Sequence, residues 1–226
     1  MLKIIKQFGR ENCIGYFVAD NASNNDTCID ALAVEFQFPA KQRRLRCAGH
    51  VFNLVARAIL WGTDADAFQH ELYEVTTEEA DVYAWRKQGP IGKARNTVIW
   101  IRASSQRNDA FKQMQSDHPL LEGVRELHAP NDTRWNSAFD AIQVFINVRP
   151  AIEGFYQKEK REWQNYLDSI TDFGTKPMPS RMRKEPPLLQ DFITQSDWDI
   201  ITRYGEILAP LKQFTLRLEG LSLIHI

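Results

Sequence analysis

The sequence predicts a mixed fold: a short α/β segment followed by an all-α remainder. Three observations lead there. A compact apolar run, CIGYFV at Cys13–Val18, is bounded by polar residues as a buried strand is. Between there and Leu60 the pattern passes through a helix, a second short strand and another helix. Beyond residue 62 apolar residues recur at helical spacing between polar turns, with no further strand-like run.

The first strand ends in ADNASNND, whose Asp, Asn and Ser side chains suit a strand-to-helix turn because they accept hydrogen bonds from free N–H groups. A helix is expected from about Asn24 to Phe36, closed by Pro39. Lys41–Cys47 (KQRRLRC) reads as the second strand, with basic flanks. The next helix, about Gly49 to Leu60, is apolar nearly all round (Val51, Phe52, Leu54, Val55, Ala58, Ile59, Leu60) and is expected to be buried.

Residues 62–82 hold seven acidic residues and no Lys or Arg, and read as a solvated loop. Residues 84–112 hold seven basic residues and one acid, with a helix expected over Lys93–Met114. The turn HAPNDTR introduces a helix on which Ala138, Ala141, Ile142, Phe145, Val148 and Ile152 share a face, kinked or ended by Pro150. Residues 172–187 carry four prolines and four basic residues and read as a loop. A last helix is expected over Asp197–Leu218, bent at Pro210. This organisation is lopsided, and because two strands do not make a stable open sheet alone, either further strands lie in sequence beyond this chain or these two segments are not strands.

Composition bounds the function. The 226 residues are 43% apolar and 25% charged, and 28 basic against 29 acidic residues leave a net charge of -1. That excludes a uniformly basic nucleic-acid tail and a uniformly acidic segment, but not local patches. No run of about 18 apolar residues exists, so no membrane partner is expected. MLKIIKQFGREN does not read as a signal peptide. Three cysteines, Cys13, Cys28 and Cys47, do not make a disulfide framework and point to a reducing intracellular compartment.

Few residues carry chemistry. Asp20 follows the first strand, where a carboxylate suits a divalent ion and equally serves as a helix cap. Cys47 and His50 form a C-x-x-H, half of a zinc site at most, and His70, His118 and His128 are isolated, so no zinc is expected. Arg134-Trp135 suits phosphate pairing with base stacking, or a Trp buried between helices. The stretch Arg86, Lys87, Lys93, Arg95, Arg102, Arg107 and Lys112 can track a nucleic-acid backbone, or form a solvated face balanced by the acidic segment before it.

The blocks GYFVADNASNND, RLRCAGHVFNLVARAIL, GPIGKARNTVIWIRASSQR, NDTRWNSAFDAI and DWDIITRYGEILAPLKQFTLRLEG together resemble the hAT superfamily of cut-and-paste DNA transposases, the fungal hAT-like elements most. The resemblance runs over about residues 12–220. It implies a partial RNase H-like core of two strands and two helices (residues 1–61) interrupted by a large helical insertion domain (residues 62–220). It implies an Asp-Asp-Glu triad holding two Mg²⁺ (or Mn²⁺) ions in the intact enzyme, with Asp20 as the second Asp and a metal ligand. Cys47 and His50 match the family's C-x-x-H at the active site. Arg134 and Trp135 match its R-W motif, where Trp stabilises a flipped base. Lys93, Arg95 and Arg102 then lie on an insertion helix near double-stranded DNA, the transposon ends. The intact form is expected to be nuclear and homo-oligomeric.

The resemblance places the first Asp of the triad before Met1 and the Glu after Gly220, so this chain holds one carboxylate of three and is expected to be inactive alone. The alternative is a domesticated or degenerate relative that binds DNA or protein without catalysis. Leu221–Ile226 (LSLIHI) resembles the translation of a sequencing-library adaptor and is expected to be artefactual.

Overall fold

The computed structural model describes residues 1–62, 64–129, 135–171 and 182–222. The described chain is mostly helical and contains two strands. It forms two compact units: Met1–Ala56 together with the described residues from Phe214 on, and Arg57–Gln213.

The first unit opens with helix α1 (Leu2–Gln7) and a 3-10 turn at Glu11–Cys13. Strand β1 is Phe17–Ala19, helix α2 is Ser23–Phe36, a helical turn α3 is Ala40–Arg43, strand β2 is Arg44–Arg46, and helix α4 is Ala48–Trp61. The strands pair in parallel, with Phe17 opposite Arg44, Val18 opposite Leu45 and Ala19 opposite Arg46. Both expected strands are shortened. Pro39 starts a helical turn, so residues 40–43 are not extended and the ladder has only three residues to offer β1. Cys13 joins the 3-10 turn instead.

The core of this unit is Ile29, Leu32 and Phe38, packed by Leu2, Ile5, Ile14, Phe17 and Phe36 among others. The rings of Phe17 and Phe38 stack at 5.5 Å. Alternation along β1 sends Val18 the other way, and Val18 and its partner Leu45 are exposed. Helix α2 ends on Gln37 in the left-handed region (φ 50°), whose N–H reaches the Ala33 carbonyl. Helix α4 is not buried all round as expected. Of its residues in this unit Ala56 is buried, whereas Val51, Leu54 and Val55 are exposed; Leu60 and Trp61, also buried, belong to the second unit.

The acidic segment of the second unit is not a loop. It forms α5 (Ala65–Glu74) and α6 (Glu78–Arg86), because Asp64 and Thr77 cap their first turns and the acids that follow face the positive ends of the helix dipoles. Phe68 and Trp85 pin the pair edge to face at 5.0 Å. The helix expected over Lys93–Met114 is two, α7 (Gly89–Arg102) and α8 (Ser105–Asp117), broken where Ser104 Oγ accepts the Arg107 N–H. Gly92 lets α6 and α7 close: a Cβ there would meet the Trp85 carbonyl oxygen at 1.7 Å.

Helices α9 (Trp135–Asn147) and α10 (Arg149–Thr171) carry the expected stripe, and Ala138, Ala141, Ile142, Phe145, Val148 and Ile152 are all buried. Pro150 begins a helix here, lying in the first turn of α10 where no N–H is needed. Phe155 of α10 meets Phe111 of α8 and Trp100 of α7 edge to face. Of the proline-rich segment, residues 172–181 lie outside the described residues, and α11 (Pro187–Gln190) is a helical turn that buries Leu188. Helix α12 (Gln195–Ser222) starts earlier than expected because Thr194 and Asp197 make a reciprocal capping box, and Pro210 lies within it. Residues 223–226 of the expected artefact lie outside the described residues.

No helix among the described residues is long and apolar enough to cross a membrane.

Candidate functional site

Parallel pairing brings the ends of β1 and β2 to one sheet edge, the edge at which open α/β folds place ligands. Asp20 follows β1 directly. Cys47 follows β2, and its N–H donates to the Ala19 carbonyl at 2.9 Å. His50 lies in the first turn of α4. Asp20, Cys47 and His50 are thus carried to the same edge by the strand register.

The local chemistry of Asp20 is that of a turn. Its Oδ1 accepts the Ala22 N–H at 3.0 Å and the Asn25 side-chain amide at 2.6 Å, which closes an Asx-turn leading into α2. Two residues missed by the sequence reading hold the rest. The Arg44 guanidinium donates to Asp26 Oδ1 (2.8 Å), the Ala19 carbonyl (2.9 Å), the Leu45 carbonyl (2.5 Å) and the Asp20 carbonyl. Arg46 donates to Asn21 Oδ1 at 2.6 Å. The only sequence signal for them was basic flanking of β2; the register, with Arg46 opposite Ala19, supplies the rest.

A catalytic two-metal site requires carboxylates converging from several elements. Among the described residues no group of three or more His, Cys, Asp or Glu side chains is placed to hold a metal ion. Asp26, the next carboxylate along the turn, is engaged by Arg44. The residues present do not fit the two Mg²⁺ ions that the family resemblance implies.

The second set of candidates lies in the other unit. Arg134 lies outside the described residues. Trp135 is 3% exposed at the start of α9, so its indole is a packing anchor in this conformation and has no free face for a base. Lys93 pairs with Asp197 at 2.8 Å. Arg95 pairs with Asp81 at 2.7 Å and lies over the Trp85 ring at 4.4 Å. Arg102 is exposed.

The rest of the basic stretch is likewise engaged. Arg86 pairs with Asp191, Lys87 with Glu71 and Lys112 with Glu126. Arg107 stacks on Trp100 at 4.0 Å, and burial pulls its pKa down, partly offset by nearby Glu159. Glu71 and Asp81 come from the acidic segment, so much of the charge asymmetry seen in the sequence is neutralised inside this unit.

Residues 45–172, more than half of the chain, match the family described as the ZBED1 RNase-like helical domain. The chain belongs to that family. It is also similar to the "Putative transcriptional regulator tpeD" of Talaromyces stipitatus, 25% identical over 171 residues that take in 67% of this chain. The chain spans 20% of the length of that relative. No solved structure matches it.

Proposed function

We propose that this chain is part of a transposase-derived, DNA-associated regulator that performs no strand cleavage of its own. The observation that carries this reading is the strand-end turn. Asp20, the one residue matching a catalytic carboxylate, accepts hydrogen bonds from its own turn, and its neighbour Asp26 is paired with Arg44. Membership of the ZBED1 RNase-like helical domain family supports transposase ancestry, and the tpeD relative's name supports a regulatory role in the nucleus. In this reading residues 1–61 are a partial RNase H-like core and residues 62–220 a helical insertion.

The phosphate contacts we assign are Arg102 and Arg134. Lys93 and Arg95 would first have to exchange an intramolecular carboxylate for a phosphate. The second reading is a piece of an active hAT-type transposase that works through an Asp-Asp-Glu triad in its intact, oligomeric form. Five sequence blocks in the hAT order over residues 12–220 favour it.

Fluorescence anisotropy with a labelled DNA duplex, and nicking of supercoiled plasmid in Mg²⁺ or Mn²⁺, test the proposal on the purified chain. The expected result is binding that weakens with salt, without nicking. No binding at low salt overturns the DNA association. Nicking that Asp20→Asn abolishes overturns the non-catalytic reading in favour of the second.

A further inference from the structure

We infer that the turn after β1 is held by the chain's own Arg44 guanidinium and does not take a divalent cation. A hard cation such as Mg²⁺ needs several oxygen ligands in octahedral array. Five of the oxygens this turn offers already accept hydrogen bonds: Asp20 Oδ1 from Ala22 and Asn25, the Ala19 and Asp20 carbonyls and Asp26 Oδ1 from Arg44, and Asn21 Oδ1 from Arg46. The Ala19 carbonyl also accepts the Cys47 N–H.

Charge acts in the same direction. The Arg44 side chain is only 11% exposed and touches both sides of the turn, so its positive charge acts at short range in a medium of reduced dielectric. Arg46 adds a second guanidinium. A dication entering here would have to displace Arg44 from Asp26 and from two carbonyls, or bind beside it. Arg44 thereby does what a bound ion would do: it ties the ends of β1 and β2 together and neutralises a carboxylate. The assignment goes beyond the regulatory reading, which states only that the chain cleaves no strand.

Manganese titration of the full chain, followed by paramagnetic broadening of its backbone amide resonances, tests this. With Mn²⁺ up to about 1 mM, the upper end of weak divalent sites, the amides of residues 17–26 should show no saturable broadening. They should behave identically in Asp20→Asn, which keeps the side-chain acceptor oxygen and hence the turn. Saturable broadening centred on residues 17–26 in the unmodified chain overturns the inference, whether or not Asp20→Asn removes it. Bound Mn²⁺ without plasmid nicking would sink this inference and leave the regulatory reading standing.

Discussion

Arg86 grips Asp191 at two points, with Nε 2.5 Å from Oδ1 and Nη2 3.0 Å from Oδ2, across 105 positions of chain. Asp191 is 1% exposed. Its Oδ2 also accepts the Asn96 amide at 3.2 Å, and its backbone carbonyl accepts the Tyr156 hydroxyl at 2.6 Å. That hydroxyl is 2.8 Å from Thr97 Oγ1, and burial pushes its pKa up, so it stays protonated. One residue, through its carboxylate and its backbone carbonyl, therefore ties α6, α7 and α10 to the end of α11. Asp191→Ala should destabilise the fold by about 3 kcal/mol, because it strands a guanidinium and a buried amide. Arg86→Lys should cost less, since it keeps the charge and loses the two-point grip. Urea midpoints of the three proteins check the order.

Asp197 links stability to pH. Burial alone would raise its pKa, but hydrogen bonds from Lys93 and from the Thr194 N–H and hydroxyl outweigh burial and hold it below the ordinary range. A depressed carboxyl pKa contributes stability above its unfolded value, about 3.9, and that contribution is lost as pH falls through the folded value. The melting-temperature gap between the unmodified chain and Asp197→Asn should be open at pH 6 and close as the pH drops below about 4. A gap independent of pH would show that the capping box, not the charge, carries the effect.

Two glycines should respond differently to alanine. At Gly92 the new methyl would meet the Trp85 carbonyl oxygen at 1.7 Å, and backbone cannot step aside. Gly92→Ala should force α6 from α7 and cost about 3 kcal/mol or more, in the manner of an overpacked core. At Gly205 the nearest atom, at 2.6 Å, is the free end of the Gln143 side chain, which can swing away. There the gain in helix propensity, about 1 kcal/mol, should offset most of the contact. Thermal melts followed by far-UV circular dichroism separate the two.

Trp135 is expected to act through the fold. Trp135→Ala should cost about 3–5 kcal/mol, as loss of a buried indole does, and any DNA affinity should fall with the folded fraction. Trp135→Phe should retain most of the stability and the affinity. Affinity lost in Trp135→Phe at full helicity would instead assign the indole to base stacking.

Much of the fold was legible because its signals are local. The stripe from Ala138 to Ile152 needs only 3.6-residue spacing, and all six of its residues are buried. The order of β1, α2, β2 and α4 followed from apolar runs and turn residues. The acidic helices α5 and α6 were missed because low hydrophobicity hid the caps Asp64 and Thr77 and the few buried anchors, Phe68, Ala84 and Trp85. The break at Ser104 was missed because a capping serine inside a basic run looks like any polar helical residue.

The sequence by itself determined the helical character, the β-α-β opening and the family blocks, because each depends on residues near one another in the chain. Only the tertiary structure decided which charges are available to a partner. Lys93 and Arg95 look free in a basic stretch, yet Asp197 lies 104 positions away in sequence and 2.8 Å away in space, and Asp81 is reached across the α6–α7 turn. Asp20 reads as a metal ligand by the family resemblance and, by its position after a strand, equally as a helix cap, but Arg44 enters its turn only through the parallel register. Coulomb and hydrogen-bond partners are set by distance in space, and sequence separation carries little of that information.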